Sequence, residues 1–137
     1  REFPGKGVTF EKLHYEGTAN LVRAAREQGV RRFIQMSALG ARLDGKTQYQ
    51  QTKFRAEECV RNSGLDYTVF RPSIIFGPGD KFVNLFAKML KAQQFVPVVG
   101  NGRYQMQPVA VENVSMGFIK SIERKDAIGK TFDVGGP

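Results

Sequence analysis

The chain of 137 residues has one cysteine, Cys59, one histidine, His14, and no tryptophan. A single thiol excludes an internal disulfide and suits a reducing compartment such as the cytoplasm. One thiol and one imidazole fall short of the ligands a structural zinc site needs. No apolar run approaches the roughly 20 residues that cross a bilayer, so no membrane span is expected. The opening residues, Arg1 to Gly7, are polar and glycine-rich, unlike a secretory leader. A glycine-rich dinucleotide turn, G-x-G-x-x-G or G-x-x-G-x-x-G, is also missing. That turn lets backbone N–H groups and a helix N-terminus approach a pyrophosphate. Gly77-Pro78-Gly79 and Gly100-Asn101-Gly102 are too short for the role and read as ordinary turns.

What is present describes a folded chain. Hydrophobic residues make up 41% and charged residues 25%, which is globular rather than disordered. Lysine and arginine number 21 against 13 acidic residues, giving a net charge of +8. Such a field attracts anions, nucleic acid among them. The basic residues are spread along the chain, however, and no strip alternates them with aromatics. The charge therefore suits an anionic nucleotide better, and no nucleic-acid partner is expected.

Periodicity supplies an order of elements. Arg1 to Thr9 reads as a loop. Thr18 can cap a helix that runs to about Gln28 and stops at Gly29. Arg32 to Ser37 is a short strand, and Ala38 to Gln48 a loop. A second helix spans about Tyr49 to Asn62 and ends at Ser63-Gly64. Asp66 to Arg71 is the next strand, its pairing ended by Pro72. Helices alternating with short strands predict a parallel sheet with crossovers. Phe82, Leu85, Phe86, Met89 and Leu90 form an amphipathic helical stripe. Val96 to Val99 and Gln107 to Val109 read as peripheral strands. Val111, Val114, Phe118 and Ile122 mark a helix from about Val111 to Glu123, and Thr131 to Val134 a final strand.

Three features can carry chemistry. Tyr49 and Lys53 are four residues apart, hence on one helix face. An ammonium there lowers a phenol's pKa from about 10 and readies it as an acid or base toward an alcohol or carbonyl. The plainer reading is a surface tyrosine beside a solvated lysine. Ser37 stands at a strand's C-terminal end, where ligands of open α/β sheets gather, although a lone serine there more often completes a turn. Arg71 to Asp80 leaves the next strand at the same sheet edge and can lie against a flat ring, or serve only as a rigid connector.

Several motifs then fall in one order: Gly17-Thr18-Ala19-Asn20-Leu21, Met36-Ser37-Ala38-Leu39-Gly40-Ala41, Tyr49 and Lys53 with Ala56-Glu57, Arg71-Pro72-Ser73 with Phe76-Gly77-Pro78-Gly79-Asp80, Gln107-Pro108-Val109 and the closing Gly135-Gly136-Pro137. This set resembles the short-chain dehydrogenase/reductase superfamily. It looks most like the extended and atypical branches, which hold NAD-dependent epimerases and dehydratases and the NAD(P)H-binding accessory subunit of respiratory complex I. The match runs from about residue 10 to 137 and covers only the C-terminal half or so of a family member.

The resemblance implies an α/β fold: a partial Rossmann-type parallel sheet with crossover helices, plus a small C-terminal portion of a substrate domain. Residues 1–79 would belong to the nucleotide-binding sheet, 80–130 mostly to the substrate segment, and 131–137 to the final strand and end. Tyr49 would be the acid/base, Lys53 its partner and ribose ligand, and Ser37 the group orienting a substrate carbonyl. Met36, Pro72, Ser73 and Ile74 would help hold the nicotinamide of NAD or NADP. Ala38 stands where extended enzymes carry a second hydroxyl, His14 near where many members have asparagine, and Asn113 where aspartate is common, although asparagine can also cap a helix. Two functions follow: hydride transfer at a carbonyl or alcohol of an unidentified small substrate, or nucleotide binding without turnover in a structural or assembly protein. The sheet would lack its first strands and the phosphate site. The isolated chain is therefore expected to be inactive, and to need a preceding segment or self-association across the open edge.

Overall fold

The computed structural model describes residues 3, 5, 7–80, 82–92, 101, 103 and 105–137. The expected strand at Val96 to Val99 lies outside the described residues, as do Gly100 and Gly102. A helical run opens at Phe10 with a π-helical turn, Glu11–Glu16, and continues as α1, Gly17–Glu27. Strand β1 is Arg32–Met36, α2 Gln48–Arg61, β2 Asp66–Pro72 and β3 Ile75–Phe76. Then come α3, Val83–Ala92, β4, Val109–Ala110, α4, Val111–Glu123, a 3₁₀ turn Lys125–Ala127, and β5, Lys130–Val134.

The main sheet is parallel throughout, in the order β1-β2-β5, with Met36 beside Phe70 and Pro72 beside Val134. β3 and β4 form a second, two-stranded parallel ladder. The expected α/β architecture with crossover helices is thus the observed one. β1 sits at the edge of the sheet.

Short-range chemistry sets the ends of α2. Thr47 and Gln50 form a reciprocal capping box, side chain to backbone in both directions. At the other end Gly64 takes a positive φ of 77°, a conformation that favours glycine. Ala56 and Val60 on the inner face of α2 are wholly enclosed, as is Val69 of β2, which α2 contacts. On the sheet's other flank Phe118 of α4 stacks on Phe70, ring centroids 4.8 Å apart. Gly117 allows that approach, since a Cβ there would lie 3.3 Å from the Phe70 ring. Arg32 stitches the layers: it donates to the Asp66 carbonyl at 2.7 Å, and to Thr68 Oγ1 and the Ser121 carbonyl at 2.6 Å each.

Four expectations need correction. Thr18 caps nothing: it is buried inside a helix that already began upstream. Tertiary packing of Phe10 and His14 on α2 carries the helix past the capping signal. Pro72 does not end the pairing of β2. Proline removes only its own N–H; its carbonyl accepts from Leu39 N–H at 2.9 Å, and Ser73 N–H donates to Val134 O at 2.8 Å. Asn113 is no cap, because α4 starts two residues earlier behind Ala110 and has no side-chain cap. The apolar stripe of α3 does lie on a helix, but none of the helix's described residues is buried, and Leu85 and Leu90 are exposed.

Candidate functional site

The C-terminal ends of β1 and β2 lie side by side, because the strands are parallel and in register. α2 leads from one strand to the other, so its first turns overhang that edge. The result is an open cleft of about 1210 Å³. Met36 and Ser37 reach it from β1, Tyr49 and Lys53 from α2, and Pro72, Ser73 and Ile74 from the end of β2. All seven residues singled out in the sequence therefore border one space. Gln50, Gln105 and Met106 border it too and were not foreseen. Gln50 could have been, since Thr47 and Gln50 spell a capping box and fix where α2 begins. Gln105 and Met106 carry no such signal.

Tyr49 and Lys53 share a helix face one turn apart, with Lys53 Nζ 6.0 Å from the Tyr49 ring centroid. Lys53 Nζ donates to the Met36 carbonyl, the last of β1, at 3.3 Å. Burial lowers the Lys53 pKa, and the charge of Glu57 one turn further on opposes that shift. The Tyr49 phenol does not respond as the spacing suggested. Burial raises its pKa above the ordinary value, and the neighbouring ammonium does not reverse this. Phe10 meets the Tyr49 ring edge-on at 5.5 Å and His14 at 5.2 Å. A phenol held this way keeps its proton at neutral pH. It can donate that proton to an oxygen that gains charge.

Ser37 lies at the end of β1, on the wall of the cleft. Its residue is buried, and its hydroxyl has no hydrogen bond of full geometry. The hydroxyl lies close enough to Glu57 to help hold that carboxyl ionised. Its backbone N–H donates to Phe70 O at 2.7 Å, tying the strand ends together.

Glu57 is the charged centre beneath the cleft. It is fully buried, and burial alone would raise its pKa. Hydrogen bonds from Arg71 and Arg61, with the Ser37 hydroxyl close by, reverse this and hold the carboxyl below its usual range. Arg71 donates through Nε at 2.8 Å and Nη2 at 2.6 Å, and Arg61 Nη2 donates at 2.7 Å.

Pro72 and Ile74 give the cleft an apolar wall, and Lys53 and Tyr49 bring polar hydrogens to it. Among the described residues no cluster of histidine, cysteine, aspartate or glutamate suits a metal ion. No described helix is long and apolar enough to cross a membrane.

Comparison with known proteins agrees with this geometry. A family described as NAD(P)H-binding matches residues 5–100. The chain belongs to the NAD(P)H-binding family. Its cofactor class is therefore NAD or NADP. Over its full length the chain is 31% identical to the mitochondrial NADH dehydrogenase [ubiquinone] 1 alpha subcomplex subunit 9 of Arabidopsis thaliana, spanning 35% of that protein. It is 36% identical to the Rattus norvegicus subunit of the same name, again over the whole chain and 36% of the relative. The chain thus spans about a third of the length of the curated relatives it matches. Among solved structures, a dTDP-glucose 4,6-dehydratase from Streptomyces venezuelae with NAD bound superposes with a TM-score of 0.82. It shares 20% identity, over 93% of this chain and 46% of that one. The likeness is one of fold, a parallel sheet with crossover helices.

Proposed function

We propose that the chain supplies the nicotinamide-riboside and acid/base half of an NAD(P)-dependent oxidoreductase or epimerase. One observation carries this reading: Tyr49 and Lys53, one turn apart, border the same cleft as the Pro72–Ile74 wall at the C-terminal edge of a parallel sheet. The bound cofactor supplies a hydride acceptor or donor. Pro72, Ser73 and Ile74 hold the nicotinamide ring, with Met36 at the strand end beside it. Lys53 donates to ribose hydroxyls and stays anchored to Met36 O. Tyr49 gives its proton to the substrate oxygen as a carbonyl becomes an alcohol, and takes one in the reverse direction. Ser37 acts through Glu57, keeping the strand end in place, rather than by touching substrate.

In this reading residues 1–79 and 131–137 form the nucleotide-binding sheet and residues 80–130 mostly a substrate segment. Helix α4 is seated on the sheet through Phe118 and Phe70. The remaining strands and the phosphate site come from a further segment, or the open edge of β1 is covered by a second copy. The free thiol of Cys59 is in keeping with a cytoplasmic location.

A second reading is nucleotide binding without turnover, in a structural or assembly role within a larger complex, as the relatives are named as subunits of an NADH dehydrogenase. The raised pKa of Tyr49 and the enclosed Ser37 hydroxyl favour it, because neither group is yet activated. The test is Tyr49→Phe in the intact protein, assayed for NAD(P)H-linked turnover against a panel of carbonyl compounds. Turnover that vanishes while nucleotide affinity holds supports the first reading. An intact protein that binds the nucleotide and turns over none of the panel, before or after substitution, favours the second.

A further inference from the structure

The π-helical turn Glu11–Glu16 is an uncommon conformation, found mostly as single turns and often beside functional sites. Here it is fastened to α2 at three points. Arg55 Nη1 donates to both carboxylate oxygens of Glu11, at 2.7 and 2.8 Å. The Arg55 guanidinium also lies 4.2 Å from the centroid of the Tyr15 ring. His14 Nδ1 is 3.0 Å from Thr52 Oγ1. The Thr52 hydroxyl hydrogen goes to the Gln48 carbonyl at 2.7 Å. Its oxygen therefore accepts from His14 Nδ1–H, which sets the imidazole tautomer at that nitrogen.

So fixed, the imidazole stacks on Phe10 at 5.1 Å and presents an edge-to-face contact to Tyr49 at 5.2 Å, with interplanar angle 87°. Phe10 completes the triangle at 5.5 Å. Three rings thus meet on the side of Tyr49 that the π turn supplies. Edge-to-face pairs of this kind contribute beyond simple burial.

We propose that His14 is a positioning residue for Tyr49, its ring clamped by Thr52 and Phe10 so that the phenol is held on the Lys53 face of α2. This deepens the acid/base reading and rests on it. Among the described residues, Lys53 Nζ lies 6.0 Å from the Tyr49 ring centroid, Glu57 interacts electrostatically with Lys53, and the Glu11–Arg55 pair fastens the turn.

The test is NMR of the intact protein labelled with ¹³C at the tyrosine ring carbons, titrated with base. Signals are assigned with Tyr49→Phe and Tyr67→Phe. In His14→Ala the Tyr49 midpoint is expected to fall toward the ordinary phenol value, while Tyr67 on β2 stays put. His14→Phe, whose ring can keep both aromatic contacts, is expected to return the Tyr49 midpoint most of the way. An unchanged Tyr49 midpoint in His14→Ala overturns the proposal. So does a joint shift of Tyr49 and Tyr67, which marks a general loosening. Failure of the acid/base reading shows separately, as turnover that survives Tyr49→Phe while the His14 effect on the Tyr49 midpoint persists.

Discussion

Arg71 at the end of β2 grips the Glu57 carboxylate of α2 with both prongs, Nε to Oε1 at 2.8 Å and Nη2 to Oε2 at 2.6 Å. A bidentate bond between a buried carboxylate and an arginine fixes two elements in distance and in rotation. Here it locks the helix that carries Tyr49 and Lys53 to the strand that ends in Pro72. The cleft between those residues therefore depends on a pair that does not line it.

That pair gives the chain a pH-dependent share of its stability. Glu57 titrates below the ordinary carboxylate value in the folded state. Its contribution is therefore fully present above the ordinary glutamate pKa of about 4.3 and is lost as pH falls through the depressed folded value. Urea midpoints measured from pH 7 to 3 should fall on the acid side, and Glu57→Gln should flatten part of that fall. The same substitution should cost about 3 kcal/mol at pH 7, since it leaves two partly buried guanidinium groups without their charge partner. Equal acid slopes in both proteins would remove Glu57 from the account.

Replacing Tyr49 by phenylalanine deletes one oxygen and keeps the ring contacts with Phe10 and His14. In the intact protein, turnover should drop by about 10²- to 10⁴-fold, the usual worth of a positioned acid or base. The dissociation constant for NAD(P)H should stay within roughly twofold. Steady-state rates and fluorescence titration read the two quantities independently. A rate close to wild type would assign the proton transfer to another group.

Gly136 is sterically required. A Cβ on Gly136 would lie 2.1 Å from the Pro108 carbonyl oxygen, and Gly136 N–H donates to Gln107 O at 3.3 Å. Gly136→Ala should push this backbone apart and loosen the Gln105–Gln107 side of the cleft, at about 1–3 kcal/mol of stability. Thermal melts compared with Gly29→Ala, where no atom lies within 4 Å of the added Cβ, separate crowding from the backbone cost that a positive φ of 68° imposes at Gly29. A smaller loss at Gly136 than at Gly29 would argue against crowding there.

Much of this was legible in the residues. The strand at Arg32, the helix ending before Ser63-Gly64 and the helix Val111–Glu123 follow from periodicity and glycine stops, which act over a few residues. Tyr49 and Lys53 were legible as a pair because helical spacing alone puts them on one face. Their electrostatics were not. Burial raises the Tyr49 pKa, and the rings of Phe10 and His14 that meet it come from some forty residues earlier in the chain, so spacing within α2 carries no trace of them. Glu57 was visible only as part of a motif, since its two arginines come from different elements, Arg61 from α2 and Arg71 from β2. The π turn left no readable signal either, because contacts with Arg55 and Thr52 select it over an ordinary α turn.

The central claim is that the cleft at the ends of β1 and β2 holds the nicotinamide riboside, with Lys53 as its anchor. Isothermal titration of NADH and NADPH into the intact protein and its Lys53→Met variant tests it most directly. Loss of charged hydrogen bonds to the ribose should weaken the preferred nucleotide about tenfold or more, roughly 1.4 kcal/mol. The melting temperature without nucleotide should barely move, because Lys53 makes one 3.3 Å bond to Met36 O at the rim. An unchanged dissociation constant for the preferred nucleotide would contradict the assignment of this cleft.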